Sequence, residues 1–260
     1  MEVVKFTETV FSDKNKKGVL VPDSDGYYTV VVGALNTYNS AGEYYTAEGA
    51  LQLFENSSHF QRRIKNGALY AELGHPKKVP NMSMEQFYSR VVSIEETNVC
   101  GHFSEINLDF DFGRKNPEFK NPDLIAIIAK VKPAGAKANA LQLSLESGKQ
   151  NTAFSIRVLT ENKYVNGRVE RRLTNIITFD HVIEGGVSCA HKIHAPGLEQ
   201  RVATESLVED VLNTTVDKNV LKKVLVNNLS HIGTESSHEM FNDILKSLES
   251  KPNFNKLKNW

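Results

Sequence analysis

Cysteine is nearly absent from this chain: 2 residues in 260, Cys100 and Cys189. Two thiols cannot build the disulfide framework of a small secreted domain, so a reducing compartment such as a cytoplasm is expected. Net charge is missing as well. The 31 Lys and Arg balance the 31 Asp and Glu, leaving no overall field to draw the chain to nucleic acid or to an anionic membrane. No apolar run reaches the roughly 18 residues of a membrane helix. The opening MEVVKFTETV lacks the basic and apolar regions of a secretory leader, so neither a span nor secretion is expected. There is no internal repeat and no long low-complexity tract. What is present is a globular composition, 40% hydrophobic, enough for one large domain or a domain with an extension.

The residues alternate between strand and helix signals. Tyr27 to Leu35 (YYTVVVGAL) is β-branched and aromatic and reads as a strand. Ala47 to Lys65 places Leu51, Leu53, Phe54, Phe60 and Ile64 at helical spacing and stops at Asn66-Gly67, a favourable C-terminal cap. Strands are predicted at Tyr88 to Ile94, Val99 to Leu108, Leu124 to Val131, Ala153 to Leu159 and Asn175 to Ile183, with a helix over Lys137 to Glu146. Strands outnumber helices, which predicts an α+β domain on a mainly antiparallel sheet or barrel with inserted helices. From Leu207 the positions Val208, Leu212, Val216, Val220 and Val224 recur every four residues, which predicts a helix. Ser236-Ser237-His238-Glu239 is a capping-box pattern for a second one. A boundary in the loop His194-Ala195-Pro196-Gly197 divides residues 1–195 from a helical C-terminal extension, 196–260.

Three stretches carry candidate chemistry. Ala68-Leu69-Tyr70-Ala71-Glu72-Leu73-Gly74-His75-Pro76 runs a short strand into a residue that permits a tight backbone path, an imidazole, and a proline that biases His75 toward extended backbone. His75 is thus held at a strand end, either as a packed turn histidine or as a base. In Asn151-Thr152-Ala153-Phe154-Ser155-Ile156-Arg157, strand alternation puts Ala153, Ser155 and Arg157 on one face and Phe154 and Ile156 on the other. A hydroxyl and a guanidinium on the face away from the core form either a reactive floor or a polar surface. Asp180 and His181 adjoin near a strand end on opposite faces. Either one can orient an imidazole and only one can point at it; a plain turn carboxylate is the alternative. Cys189, His191 and His194 offer a thiol and two imidazoles, but zinc sites usually need four ligands at recognisable spacing, and no metal site is expected.

Glu72-Leu73-Gly74-His75-Pro76, then Ser155-Ile156-Arg157, then Phe179-Asp180-His181-Val182, resembles the prohead maturation serine proteases of tailed phages, which are similar in fold to the assemblin proteases of herpesviruses. The match runs over about residues 20 to 190, in the family's order. The resemblance implies that His75, in the place of the E-L-x-H-P histidine, is the base, and that Ser155 is the nucleophile. Arg157 or nearby backbone N–H groups would help hold the oxyanion. The third member is implied to be Asp180, with His181 next, because herpesvirus relatives use a histidine there. Where relatives often have Gly-Val-Ser-Ser, this chain has Ala153-Phe154-Ser155-Ile156, so Ser155 is the one serine at that site.

The implied activity is an endopeptidase that cuts phage scaffold and capsid precursors inside the immature head, in the bacterial host cytoplasm. It would use no cofactor and would not bind nucleic acid or membrane; a homo-oligomer is left open. The extension would target or dock the enzyme. Such proteases commonly cut after glutamate and trim themselves, and Ser-Leu-Glu-Ser occurs twice, at Ser144 to Ser147 and Ser247 to Ser250. The rival readings are a catalytically silent capsid-assembly protein of the same fold, supported by the altered serine motif, and a zinc-dependent binding module on Cys189, His191 and His194.

Overall fold

A long hairpin forms the spine of the structure. The computed structural model describes residues 3–13, 20–195, 207–228, 242 and 244–246. Strands β8 (Ala153–Val165) and β9 (Arg168–Val182) pair antiparallel from Ala153↔Val182 to Val165↔Arg168. They turn at Asn166-Gly167, with φ of 48° and 82°. A two-residue hairpin turn of this type requires left-handed backbone at both positions, which Asn and Gly tolerate best.

Around this hairpin lie β1 (Val3–Asp13), β2 (Tyr28–Leu35), β3 (Thr37–Tyr38), β4 (Tyr44–Thr46), β5 (Tyr70–Glu72), β6 (Val99–Asp109), β7 (Ile125–Pro133) and β10 (Leu207–Asp217). One sheet has the order β10-β1-β8-β9-β4-β3 and the other β2-β7-β6-β5. Among the described residues every pairing between these strands is antiparallel except β4 with β9. Both edges of the smaller sheet return to the hairpin. Strand β2 lies beside β8, and just beyond β5 Leu73 makes a parallel bridge to His181 of β9.

The two sheets thereby enclose one apolar interior, filled by alternate residues Val30 and Val32 and Ile127, Ala129 and Val131, by Phe103 and Ile106 across a register shift in β6, and by Phe154 and Phe179. Each large side chain so buried contributes roughly 1.5–3 kcal/mol. The hairpin's other face carries Leu159 and Ile177, which meet Tyr88, Val91 and Val92 and also Leu221, Val224 and Leu225. That second layer is helical: α2 (Met84–Val91) and α5 (Lys218–Asn228). The remaining helices are α1 (His59–Lys65), α3 (Phe112–Lys115) and α4 (Ala138–Glu146). No helix among the described residues is long and apolar enough to cross a membrane.

The α+β class with mainly antiparallel sheets is the one the sequence predicts, but two elements differ. The strand expected over Tyr88 to Ile94 is α2, whose start is set by a capping box. The Ser83 side chain accepts from Gln86 N–H, and the Gln86 side chain accepts from Ser83 N–H. The helix expected from Leu207 begins as strand β10, paired with β1 from Val3↔Asp217 to Asp13↔Leu207, and becomes helical only at Lys218. A repeat of four satisfies a strand's period of two as well as a helix's of 3.6, and Val208, Val211, Thr214, Thr215 and Val216 tip it toward the strand. The Ser236 to Glu239 capping box and residues 196–206, at the expected domain boundary, lie outside the described residues.

Candidate active site

The stretch from Glu72 to Pro76 leaves β5 and crosses the end of β9. Gly74 has φ +73°, with open space where a Cβ would stand, so glycine is needed there for its backbone and not for room. The crossing is pinned from both sides. Gly74 N–H donates to His181 O at 2.7 Å, and Leu73 N–H donates to Asn98 O at 3.1 Å. Asn98 Nδ2 in turn donates to Leu73 O at 3.1 Å. His75 is thereby delivered to the hairpin face opposite the apolar interior.

There it meets Asp180. His75 Nδ1 lies 2.7 Å from Asp180 Oδ2, with the two side chains 5% and 0% exposed. Arg157 approaches the same carboxylate from β8, donating from Nε to Oδ2 at 2.8 Å and from Nη2 to Oδ1 at 2.6 Å. Burial alone would raise the Asp180 carboxyl, but the Arg157 guanidinium and the His75 imidazole outweigh it and hold the acid below its ordinary value. An ionised Asp180 only accepts, so the proton between the pair sits on His75 Nδ1, and in a neutral ring the lone pair falls to Nε2. Among the described residues Nε2 is buried with no hydrogen-bond partner.

Ser155 stands directly opposite Asp180 in the ladder, on the same face, where facing Cβ atoms lie about 5 Å apart. It is 5% exposed and borders a small cavity of about 20 Å³ between β2 and β8, lined also by Gly33, Leu35, Phe154 and Val187.

The other candidates fall elsewhere. His181 points into the opposite face, its ring 5.9 Å from that of Phe154 and its Nε2 3.3 Å from Ser144 Oγ. Burial pushes its pKa down to about 4. Arg157, expected beside developing negative charge, has its guanidinium committed to Asp180, to Glu72 at 3.2 Å, and to the Ser93 and Val91 carbonyls at 2.8 and 3.4 Å. All of its donors are engaged in this arrangement. Cys189, His191 and His194 do not form a metal cluster: among the described residues no three His, Cys, Asp or Glu side chains converge as one. His191 Nδ1 is bonded to Asn151 Nδ2 at 2.8 Å, and burial pushes the Cys189 thiol up to about 12.

Sequence reasoning missed Glu72 as a site residue. Its fully buried carboxylate receives Arg157, both Nη atoms of Arg90 from α2, Glu95 N–H at 2.6 Å and Asn98 Nδ2 at 3.3 Å. The available signal was a charged residue closing a short strand three positions before His75. Arg90 was hidden because its helix reads as a strand.

A buried acid bonded to an imidazole whose second nitrogen is unbonded, with a hydroxyl across the ladder, has the parts of a hydrolase that works through a side-chain nucleophile. The chain belongs to the Peptidase S80 family, which matches residues 6–246. It is 35% identical over 189 residues to the capsid maturation protease of Pseudomonas phage phiKZ, a match spanning 71% of this chain and 67% of that relative. No solved structure is significantly similar. The likeness to phage head-maturation proteases read from the motifs therefore holds, and the chain is a protease.

Proposed function

We propose that this protease is a serine endopeptidase that cuts precursor proteins of a phage head, scaffold and capsid among them, inside the immature particle. The observation that carries the reading is the His75–Asp180 bond, which leaves Nε2 unpartnered on the face that Ser155 shares. In this reading Ser155 Oγ attacks the peptide carbonyl while His75 Nε2 takes its proton. Asp180 fixes the tautomer and stabilises the imidazolium. The proton then passes to the leaving amine, and water repeats the sequence on the acyl-enzyme. With Arg157 fully engaged, the oxyanion falls to backbone N–H groups beside Ser155. Cleavage after glutamate, self-trimming and kinship in fold with the herpesvirus assemblins complete the proposal.

A serine-directed fluorophosphonate tests it. The expected result is stoichiometric labelling at Ser155, lost in Ser155→Ala and His75→Ala. A folded wild-type chain that cleaves a capsid precursor without reacting with the probe would overturn the serine assignment.

A further inference from the structure

The structure places a chain of charge behind the His75–Asp180 pair. Asp180 is bonded to Arg157, Arg157 to Glu72, Glu72 to Arg90, and Arg90 Nε to Glu95 Oε2 at 3.1 Å. Asp180 and Glu72 are wholly buried and Arg157 nearly so, while the Arg90 side chain is 19% exposed. Backbone also ties the two buried carboxylates to each other, since Glu72 N–H points at Asp180 Oδ1 at 3.4 Å. Three carboxylates face two guanidiniums, so the set carries one net negative charge.

A buried ionic network is a poor device for stability alone, because apolar groups of the same volume do as well or better. Its arrangement instead answers a problem created by Arg157. A guanidinium held against Asp180 fixes the carboxylate but cancels its charge, and a neutral pair stabilises an imidazolium weakly. A second carboxylate behind the guanidinium restores the missing charge, with Glu95 offsetting Arg90 at the far end.

We infer that Glu72 is a positioning residue that acts through Arg157, restoring to the His75–Asp180 pair the net negative charge that a protonated His75 requires. The inference rests on the catalytic reading above. The ionisable groups facing the pair are Glu72 from β5, Arg90 from α2, Glu95 from the turn after it, Cys100 from β6 and Arg157 from β8. His181 lies on the other face.

The test is the rate of fluorophosphonate labelling of the full chain as a function of pH, with thermal melting as a check on folding. Glu72→Gln keeps the shape and removes the charge. It should slow labelling roughly tenfold and move the acid limb of the profile to lower pH, on the order of one unit. Arg90→Gln removes a positive charge from the far end and should move the acid limb the opposite way. Displacements of opposite sign support the inference, since a merely structural role lowers both rates without moving the limb in either direction. A folded Glu72→Gln protein whose limb stays in place would overturn it. Should Glu72→Gln fail to fold, Arg90→Gln decides alone, and an unmoved or lowered limb counts against the inference. Failure of the wild type to label at all is a different result, which removes the nucleophile and the inference with it.

Discussion

At the scale of single residues, the site divides by face. Asp180 and His181 are neighbours in the chain, yet strand alternation sends one to the imidazole of His75 and the other to the ring of Phe154. Ser155→Ala and His75→Ala should each cut peptidase turnover on a capsid precursor by on the order of 10⁴-fold or more, because neither proton transfer nor attack survives alone. Asp180→Asn should cost less, since an orienting acid assists the base without replacing it. If His181→Ala proves the more damaging change, Asp180 is not the orienting acid.

The same two residues separate by pH. An unfolded histidine takes a proton near pH 6.5, whereas buried His181 resists down to about 4. Between those values the unfolded chain binds the extra proton. Stability should therefore fall as pH drops from about 6.5 toward 4, by roughly 3 kcal/mol in the limit. Asp180, held below its ordinary value, contributes stability above about pH 4 that is lost only below it. Urea unfolding of wild type and His181→Gln across pH 4–7 separates the two, because the wild type should show the steeper upper slope, the lowered pKa of part-buried His102 adding equally to both proteins. Equal slopes would mean that His181 is not buried in its neutral form.

At the scale of elements, most of what the sequence offered was legible because local signals and tertiary contacts agree. Tyr28 to Leu35 is a strand by propensity and by burial, and Asn66-Gly67 ends α1 with Gly67 at φ +66°. Two elements were obscured for nameable reasons. The valine repeat after Leu207 fits both periods, and only pairing with β1 decides it. In α2 the aromatic and β-branched run Phe87-Tyr88 to Val91-Val92 argues for a strand, but the cap at Ser83 and burial of Tyr88 and Val91 on one helix face override it. Removing that cap should be measurable. Ser83→Ala leaves Gln86 N–H without its partner and should cost about 1 kcal/mol in chemical unfolding. A change within error would mean that packing against α5 alone sets the helix start. The site was half legible: His75, Ser155 and Asp180 lie in a recognisable motif order, while the Glu72–Arg90 support joins residues whose proximity depends on the misread helix.

At the scale of the whole molecule, the fold bears on which of its own bonds the protease can reach. The two Ser-Leu-Glu-Ser segments are identical in sequence and so equal as substrates when unfolded. A peptidase needs an extended backbone threaded through its cleft, and the first copy is not one. It forms the last turn of α4, with Ser144 6% and Leu145 0% exposed. Ser144 Oγ is 2.5 Å from Thr152 Oγ1, and the buried Lys192 ammonium donates to Ser144 O at 2.8 Å and to Ser147 O at 2.6 Å. That ammonium clamps the chain on both sides of Glu146 and caps the helix's negative end. Cutting there would require α4 to open first and would part His75 from Ser155. The second copy lies in a segment outside the described residues, and cutting after Glu249 removes only Ser250 to Trp260. Self-trimming of the native enzyme should therefore occur after Glu249 and not after Glu146. Intact mass spectrometry of wild type beside Ser155→Ala reads this directly, with the tail lost from the first and kept in the second. Lys192→Met should expose the protected bond, so that a fragment ending at Glu146 accumulates in mild urea faster than from wild type. A fragment ending at Glu146 from undenatured wild type, as fast as the tail is lost, would show that the clamp protects nothing. Full-length mass in both proteins, while wild type cuts a capsid precursor, would exclude self-trimming altogether.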